Sequence, residues 1–462
     1  MLLASYIVAA LAMGGAAVYL LYRLHLFFTA TTMLLGSLLL IYGPAYLSFV
    51  LSSGEKSMVL HRLSGSVGAK SEIFRTIQNA SPDFSSILIA MNLAIALMFV
   101  GVIVGIEIVD RLTPKRAAGM QAAVAAWNAQ PLRDSLGSVR ILLAVITALT
   151  LILAFISIRE NHLGTIREFL SVSGDAARQA FRIEHGGSPN YGYRMILGAV
   201  APIFVIWGLL SGWLNRSWTL VLASGLLFVA VMVGKFELLS KAPPALFLIQ
   251  LTVAGLLVFR NTMSGRAALV ALLAAVLVFY AAIKVTIASY DQFGAMGFLF
   301  YRVFEVPSES LLESFGAFPF RFPHTMGANI RGLAALMGVD FIPAYSVVAR
   351  LWHGSDGLSS NALFIADAWI AFSYAGVLGF SILAGALCRA IDAVFLVEGK
   401  TVVSVAVLGA ISFGIFTLLV SALNTAAISG GLLLAPLAAG LLVKAVRIFN
   451  RPHQLPAPLS GH

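Results

Sequence analysis

The sequence predicts an all-α protein that crosses a membrane many times, and three observations support this. Of 462 residues, 60% are hydrophobic and 11% are charged, whereas a soluble domain averages about 25% charged residues. Uncharged apolar runs recur along the chain, each near the roughly 20 residues that a helix needs to cross the hydrocarbon core. The alternating segments of about 10 residues that are typical of outer-membrane barrels are absent from the sequence. We therefore expect one integral membrane domain over residues 1–462.

Eleven apolar segments are predicted to be transmembrane helices. They lie at 2–22, 26–51, 85–109, 139–158, 193–214, 218–239, 245–259, 267–290, 363–388, 404–425 and 428–446. The first is expected to be a permanent span, because it lacks the basic residues and the cleavage site of a removable signal. The seventh is short and follows Pro243 and Pro244, which suggests a tilted or partly re-entrant helix.

The charges in the short loops predict the orientation of these helices. Lys444, Arg447 and Arg451 follow the last span, which predicts a cytoplasmic C-terminus. We expect its final residues, 450–462, to be a disordered tail. Three long segments then face the other side, where charge matters less: 52–84, 159–192 and 291–362.

Several function classes are excluded by composition and motifs. The net charge of +10 is explained largely by Lys and Arg in short loops, so we expect no nucleic-acid partner. Cys388 is the only cysteine, which excludes an internal disulfide and a cysteine-ligated metal cluster. The sequence contains no GxxxxGK[ST], HExxH or GxSxG motif, and thus gives no support for a nucleotide motor, a zinc protease or an α/β-hydrolase.

The long segment 291–362 is predicted to contain short amphipathic helices. Ser310 and Glu313 have the spacing of a capping box, and Leu311, Leu312 and Phe315 would give that helix a narrow apolar face. The run of alternating Phe and Pro at 318–323 suits the depth of the lipid headgroups. Asn329 is predicted to cap a second helix, whose N-terminus would suit a phosphate.

Five basic side chains of this segment are expected to gather at the outer membrane surface: Arg321, His324, Arg331, Arg350 and His353. They are candidates for binding an anionic substrate. The alternative is that they contact lipid headgroups or pair with the acidic residues of the same segment: Glu305, Glu309, Glu313 and Asp356.

The segment 159–192 is predicted to carry a second basic surface. Arg167, Arg178 and Arg182 are spaced to share one stripe of a single helix ending near His185. Arg194 follows at the next membrane entry. The alternative is a solvated helix whose internal ion pairs use Glu168, Asp175 and Glu184.

Ionisable residues also occur within or near the predicted spans. Lys284 and Asp367 lie at matching depths near the outer face, which predicts either a structural ion pair or a catalytic or substrate-binding role. Four more charged residues near span ends are expected to extend towards the headgroups: Glu107, Asp110, Lys235 and Glu237.

The overall layout resembles the Wzy-type polymerases of O-antigen and oligosaccharide repeat units. The resemblance rests on the many spans, the large outer segment and the stretch SSNALFIADAWIAFSYAGVLGF that follows it. Arg321 and Gly332 match an Arg, ten residues and a Gly that recur in outer loops of some members. Arg182 and Gly192 are one residue too close to match.

The resemblance implies a GT-C-like helical fold and a glycosyltransferase at the periplasmic face of a bacterial inner membrane. Its donor and acceptor would be glycans linked to undecaprenyl diphosphate, and its partners would include membrane lipids and a candidate chain-length regulator. The reaction would invert the anomeric centre without metal or cofactor. Adjacent acidic pairs and DxD motifs are missing from the predicted outer segments, which agrees with a metal-independent mechanism.

Within this resemblance, five residues are candidates for catalysis: Arg321, His324, Arg331, His353 and Asp356. Seven more are candidates for binding substrate: Arg178, Arg182, Arg194, Lys284, Arg302, Arg350 and Asp367. Two alternative functions are an O-antigen ligase of the same fold and a flippase or transporter of lipid-linked oligosaccharides. A flippase should have charges lining many spans, whereas the ionisable residues here gather near the outer face.

Overall fold

The computed structural model describes these residues of the chain: 1–24, 29–52, 71–134, 139–185, 190–236, 239, 242–259, 273, 277, 280, 301–354 and 362–449. Within these ranges the regular structure is helical and contains no β-strand, apart from one isolated bridge between Arg133 and Thr401. The prediction of an all-α protein is confirmed for this part of the chain.

We number the helices in chain order. The first half contains α1 (Leu2–Tyr19), α2 (Ala30–Tyr42), α3 (Pro44–Leu51), α4 (Glu72–Ala80), α5 (Phe84–Leu112), α6 (Pro114–Ala129), α7 (Val139–Arg159), α8 (His162–Ser171), α9 (Asp175–His185), α10 (Tyr191–Met195) and α11 (Ala201–Leu214). The second half contains α12 (Trp218–Phe236), α13 (Ala242–Phe259), α14 (Val306–Ala317), α15 (Arg331–Met337), α16 (Ala344–His353), α17 (Phe364–Phe395), α18 (Val402–Val420), α19 (Leu423–Ala427) and α20 (Leu434–Phe449). Three π-helical turns adjoin them: Leu20–Leu24, Ile196–Val200 and Tyr301–Glu305.

Eight helical segments in the described part of the chain are long and apolar enough to cross a membrane. They are α1 with its π-helical extension, α2 with α3, α5, α7, α10 with α11, α12, α17 and α18. The predicted spans at 245–259 and 428–446 correspond to shorter apolar helices, Pro243–Phe259 and Leu434–Val446. The predicted span at 267–290 lies almost wholly outside the described residues.

Two predicted spans are interrupted. The segment predicted at 26–51 is divided at Gly43, and Pro44 starts the next helix. The segment predicted at 363–388 is α17, in which Phe372 and Ser373 have non-helical backbone angles. Ser373 has φ 57°, a left-handed value that costs a non-glycine residue free energy. Apolar residues continue across each break, so the apolar pattern alone predicts continuous helices.

Helices α5 and α17 pack closely against each other at the centre of the bundle. Small residues allow it: a Cβ atom added to Gly105 would lie 2.1 Å from the Ile382 carbonyl oxygen, and one added to Gly385 would lie 2.2 Å from that of Val102. Small residues at such contacts let helix backbones approach and gain van der Waals contact in a membrane. The two helices are parallel, and both begin at the same end of the bundle.

We call the end of the bundle at which α5 and α17 begin the outer end, following the predicted orientation, and the opposite end the inner end. At the inner end the Asp110 carboxylate accepts two hydrogen bonds from Arg389, at 2.6 and 2.8 Å. Arg23 lies 3.4 Å from the same carboxylate, and Arg389 also contacts the Met120 sulfur at 2.8 Å. The guanidinium of Arg389 is thus held by α5 and α6.

Two of the residues expected to extend towards the headgroups are buried instead. Asp110 is 6% exposed and is paired with Arg389, and Lys235 is 2% exposed. The ammonium of Lys235 lies 4.6 Å from the centre of the Phe413 ring and 5.6 Å from that of Phe247. Arg389 and Phe413 belong to helices that are distant in sequence from Asp110 and Lys235, and Phe247 belongs to the helix that follows Lys235. Position near a span end therefore does not reveal the burial. Glu237 lies outside the described residues.

Candidate outer-end site

Helix α14 lies at the centre of the outer end of the bundle. All residues from Pro307 to Ala317 are buried, since α4, α5, α16 and α17 surround the helix. The prediction of a narrow apolar face is therefore wrong. Ser310 does not cap the helix either: α14 starts at Val306, directly after a π-helical turn, so that Ser310 lies in its interior.

Three buried carboxylates lie on or next to α14, at Glu305, Glu309 and Glu313. Their spacing of four residues places them along one face of the helix. Glu309 accepts hydrogen bonds from Ser71 at 2.5 Å and from the Tyr301 hydroxyl at 2.9 Å. Burial, followed by the charge and hydrogen bond of Glu309, raises the pKa of Tyr301, so the phenol stays protonated and donates.

The third carboxylate holds a histidine at the protein surface. Nε2 of His353 lies 2.9 Å from Oε1 of Glu313, whose side chain is 5% exposed while that of His353 is 37% exposed. The neighbouring Trp352 donates a hydrogen bond to the Glu313 carbonyl at 2.9 Å. Nδ1 of His353 makes no hydrogen bond to the residues that the structure describes. A carboxylate thus orients the imidazole and leaves one ring nitrogen available.

The pairing of His353 with Glu313 was one of the two interpretations that the sequence offered for this residue. The sequence left open whether the basic residues of this segment pair with its acidic residues, and for His353 the pairing with Glu313 is confirmed. It also shows why the pair escapes sequence reasoning: forty positions separate the two residues, and only the packing of α16 on α14 brings them together.

Arg321 and Arg331 are exposed, and each has a neighbour of its own. Arg321 donates a hydrogen bond to the carbonyl of Ala80, at the C-terminus of α4, where a cation is favourable. The guanidinium of Arg331 lies 4.8 Å from the centre of the Phe341 ring. Arg321 therefore has a structural contact that the sequence did not predict.

Asn329 does not cap the second short helix. Helix α15 begins at Arg331 with no side-chain cap, and the Asn329 amide instead donates to the Asp367 carbonyl at 3.0 Å and to its Oδ1 at 3.4 Å. The prediction of an Asn329 cap is wrong, because the first turn of α17 offers these acceptors. Thr325 adds a backbone hydrogen bond of 2.9 Å to the Ile370 carbonyl. The loop before α15 is thereby tied to the outer half of α17.

His324 packs beside the same half of α17. Its ring lies edge-on to Trp369 at 5.3 Å between centres, and its Nδ1 is buried without a hydrogen-bond partner among the described residues. Asp367 lies in the first turn of α17. The predicted partner of Asp367, Lys284, is outside the described residues, as is Asp356. Whether Lys284 pairs with Asp367 stays a prediction.

The remaining candidates of this segment lie on two of its elements. Arg302 belongs to the π-helical turn before α14, and Arg350 is exposed on α16, three residues before His353. The structure therefore places Arg302, Arg350 and His353 on elements that pack on α14.

The basic surface predicted over 159–192 is divided. Two helices, α8 and α9, replace the single helix, because the chain breaks at 172–174 and Gly174 has φ 89°. Arg167 therefore does not share a helix with Arg178 and Arg182, so the predicted stripe is wrong. Arg178 donates to the Val172 carbonyl at 2.8 Å and so caps α8, while Arg182 and Arg194 are exposed.

This segment packs in another part of the bundle. Helix α8 contacts α7 and α12, whereas α14 contacts α4, α5, α16 and α17. The segment also contains a buried histidine that sequence reasoning missed: His162 lies 3.2 Å from Ser157 and 3.1 Å from Glu160. The only available signal was the polar run at 159–162, directly after a predicted span.

No protein-family model matches this chain, and no curated protein or solved structure matches it either. The case for a function therefore rests on the sequence and on the geometry of the outer end.

Proposed function

We propose that this protein is an inverting membrane glycosyltransferase that polymerises oligosaccharide repeat units linked to undecaprenyl diphosphate. The proposal combines the resemblance to Wzy-type polymerases with one observation, the pair of His353 and Glu313 at the outer end. It places the reaction at the periplasmic face of a bacterial inner membrane.

In this proposal His353 is the general base. The acceptor hydroxyl gives its proton to Nδ1 of His353 as its oxygen bonds to the anomeric carbon of the donor. The bond from that carbon to the diphosphate breaks, and undecaprenyl diphosphate leaves with the electron pair. The Glu313 carboxylate stabilises the imidazolium, which then releases its proton to water. Nε2 of His353 is already bound by Glu313, so Nδ1 is the ring nitrogen that accepts the proton in this proposal.

Exposed guanidiniums are suited to the leaving group. Negative charge develops on the diphosphate as the glycosidic bond breaks, and Arg binds phosphate oxygens through two parallel N–H groups. Arg331 and Arg350 are exposed on the helices at either end of residues 331–353. Arg321 contributes less in this proposal, because part of its guanidinium already binds Ala80.

The test is synthesis of polymer from purified lipid-linked repeats with a chelator present. General-base catalysis contributes about 100-fold or more, so His353→Gln should lower turnover by that factor. Glu313→Gln should lower turnover by a smaller factor, since Glu313 orients the imidazole and does not contact the substrate. The matched control is His185→Gln, because His185 lies 3.9 Å from Glu184 in the other outer segment and has no assigned role.

Three outcomes would contradict the proposal. Full turnover in His353→Gln would remove the base, and loss of wild-type turnover with chelator would contradict the metal-independent mechanism. Equal losses in His353→Gln and His185→Gln would point to general damage instead of catalysis.

A transporter of lipid-linked oligosaccharides is the second candidate, because α17 is broken at Phe372 and Ser373. Discontinuous helices often mark the binding sites of transporters. In proteoliposomes a transporter moves the labelled lipid-linked repeat across the bilayer without lengthening it. A polymerase produces longer glycans from the same material.

A further inference from the structure

The surface beyond the candidate site is unusually apolar for a segment outside the spanning helices. Five large apolar side chains between Met326 and Ile342 are exposed: Met326, Leu336, Met337, Val339 and Ile342. Leu336 is 86% exposed and Met326 is 67% exposed. A helix that faces water normally exposes polar residues, so this surface has the character of one that lies in a membrane interface.

Helix α15 also exposes apolar side chains. Ala334 is its one buried residue, and Leu333 next to it contacts the loop at Gly327. Leu336 is almost fully exposed, and Met337 is 44% exposed. The helix thus rests on the protein through small contacts and leaves its larger apolar groups outside.

The position of the segment fits the membrane surface. Thr325 binds the carbonyl of Ile370, and Asn329 binds Asp367, both within the first two turns of the spanning helix α17. Because a helix rises about 1.5 Å per residue, Ile370 lies about 9 Å below the start of α17 at Phe364. The chain that leads into α15 therefore starts at the depth of the outer ends of the spans.

The charges of the segment suit lipid headgroups. Arg331 and Arg350 are exposed cations on either side of the apolar residues in sequence, and the one exposed acid between them is Asp340. Arg331 lies over Phe341, which keeps its charge beside the apolar surface. Cations next to apolar groups favour a bilayer that contains anionic phospholipids.

We propose that the segment from Met326 to Ile342 lies in the outer leaflet of the membrane. Its apolar side chains enter the region between headgroups and acyl chains. This inference does not depend on the proposed enzymatic function. It names a lipid surface as the occupant, as opposed to a second copy of the chain or a protein partner.

The experiment is a depth measurement by spin-label EPR. Cys388 is buried and is changed to Ala, and a nitroxide is attached to Leu336→Cys in protein reconstituted at one copy per nanodisc with phosphatidylethanolamine and phosphatidylglycerol. Oxygen concentrates in the bilayer, whereas a polar nickel chelate stays in water. Leu383→Cys on α17 provides a lipid-facing reference and Glu184→Cys, 76% exposed, an aqueous one.

We expect oxygen to relax the label at Leu336 several-fold more, relative to the nickel chelate, than the label at Glu184. A ratio equal to that at Glu184 would overturn the proposal, because the helix would lie in water. Low accessibility to both reagents would also overturn it, since the side chain would then be covered by protein. If Leu336→Cys fails to insert, the same measurement at Met326→Cys decides the question.

Discussion

The two ends of the bundle differ in how their charged side chains are buried and paired. At the inner end, Asp110 and Arg389 are buried and paired, and Asp392 caps α2 by accepting hydrogen bonds from the amides of Ala30 and Thr31 at 2.7 and 3.0 Å. At the outer end the carboxylates are buried, but the guanidiniums and His353 remain exposed. At the inner end the paired side chains of Asp110 and Arg389 are buried, whereas at the outer end the basic side chains of Arg321, Arg331, Arg350 and His353 are exposed at the protein surface. The difference separates charges that hold helices together from charges available to a ligand.

The largest expected effect is at the inner end. Arg389→Ala would leave the buried carboxylate of Asp110 without its main partner, and breaking a buried pair in this way costs about 3–5 kcal/mol. We expect much less folded protein and a lower midpoint of thermal unfolding in detergent micelles. Asp110→Leu combined with Arg389→Met should recover much of the loss, because no unpaired charge remains. If Arg389→Ala unfolds like the wild type, the inner network does not stabilise the bundle.

A smaller effect, on turnover only, should distinguish the outer arginines from each other. If Arg331 neutralises the departing diphosphate, Arg331→Lys should lower turnover by roughly 100-fold, because an ammonium cannot form two parallel hydrogen bonds. Arg321→Lys should lose far less, since a single donor can still reach the Ala80 carbonyl. Polymer formation and the unfolding midpoint are measured for both variants. Equal losses would show that the contact with Ala80 does not set Arg321 apart.

The smallest effect is expected at Lys400, which joins α17 to α18 at the inner end. Burial lowers the pKa of Lys400 from its ordinary value of 10.5, so the folded protein disfavours the charged form. Burial of the charged ammonium lowers the free energy of unfolding at neutral pH. This destabilisation disappears as the pH rises through the ordinary pKa, because the side chain is then neutral in both the folded and the unfolded protein. Lys400→Met should therefore raise the unfolding midpoint slightly at neutral pH and have less effect in alkali. A lower midpoint at neutral pH would show that the ammonium stabilises the fold.

Where sequence reasoning failed at the outer end, it failed for a common reason. Ser310 and Asn329 have the residue types and spacings of helix caps, and the local pattern around each is convincing. Ser310 instead lies in the interior of α14, because the helix continues from a π-helical turn, and Asn329 donates to the first turn of α17. Local patterns predict local hydrogen bonds, and tertiary contacts replaced them here.

The sequence by itself determined the fold class and most of the spans, because the free energy of burying about 20 apolar residues in lipid depends on composition and length alone. It also identified the outer segment as the richest in candidate residues. Only the tertiary structure decided which charges are paired. Arg389 meets Asp110, and Glu313 meets His353, across long stretches of chain. Such pairs depend on which helix faces which, and a charged side chain carries no sequence signal of the partner that will neutralise it.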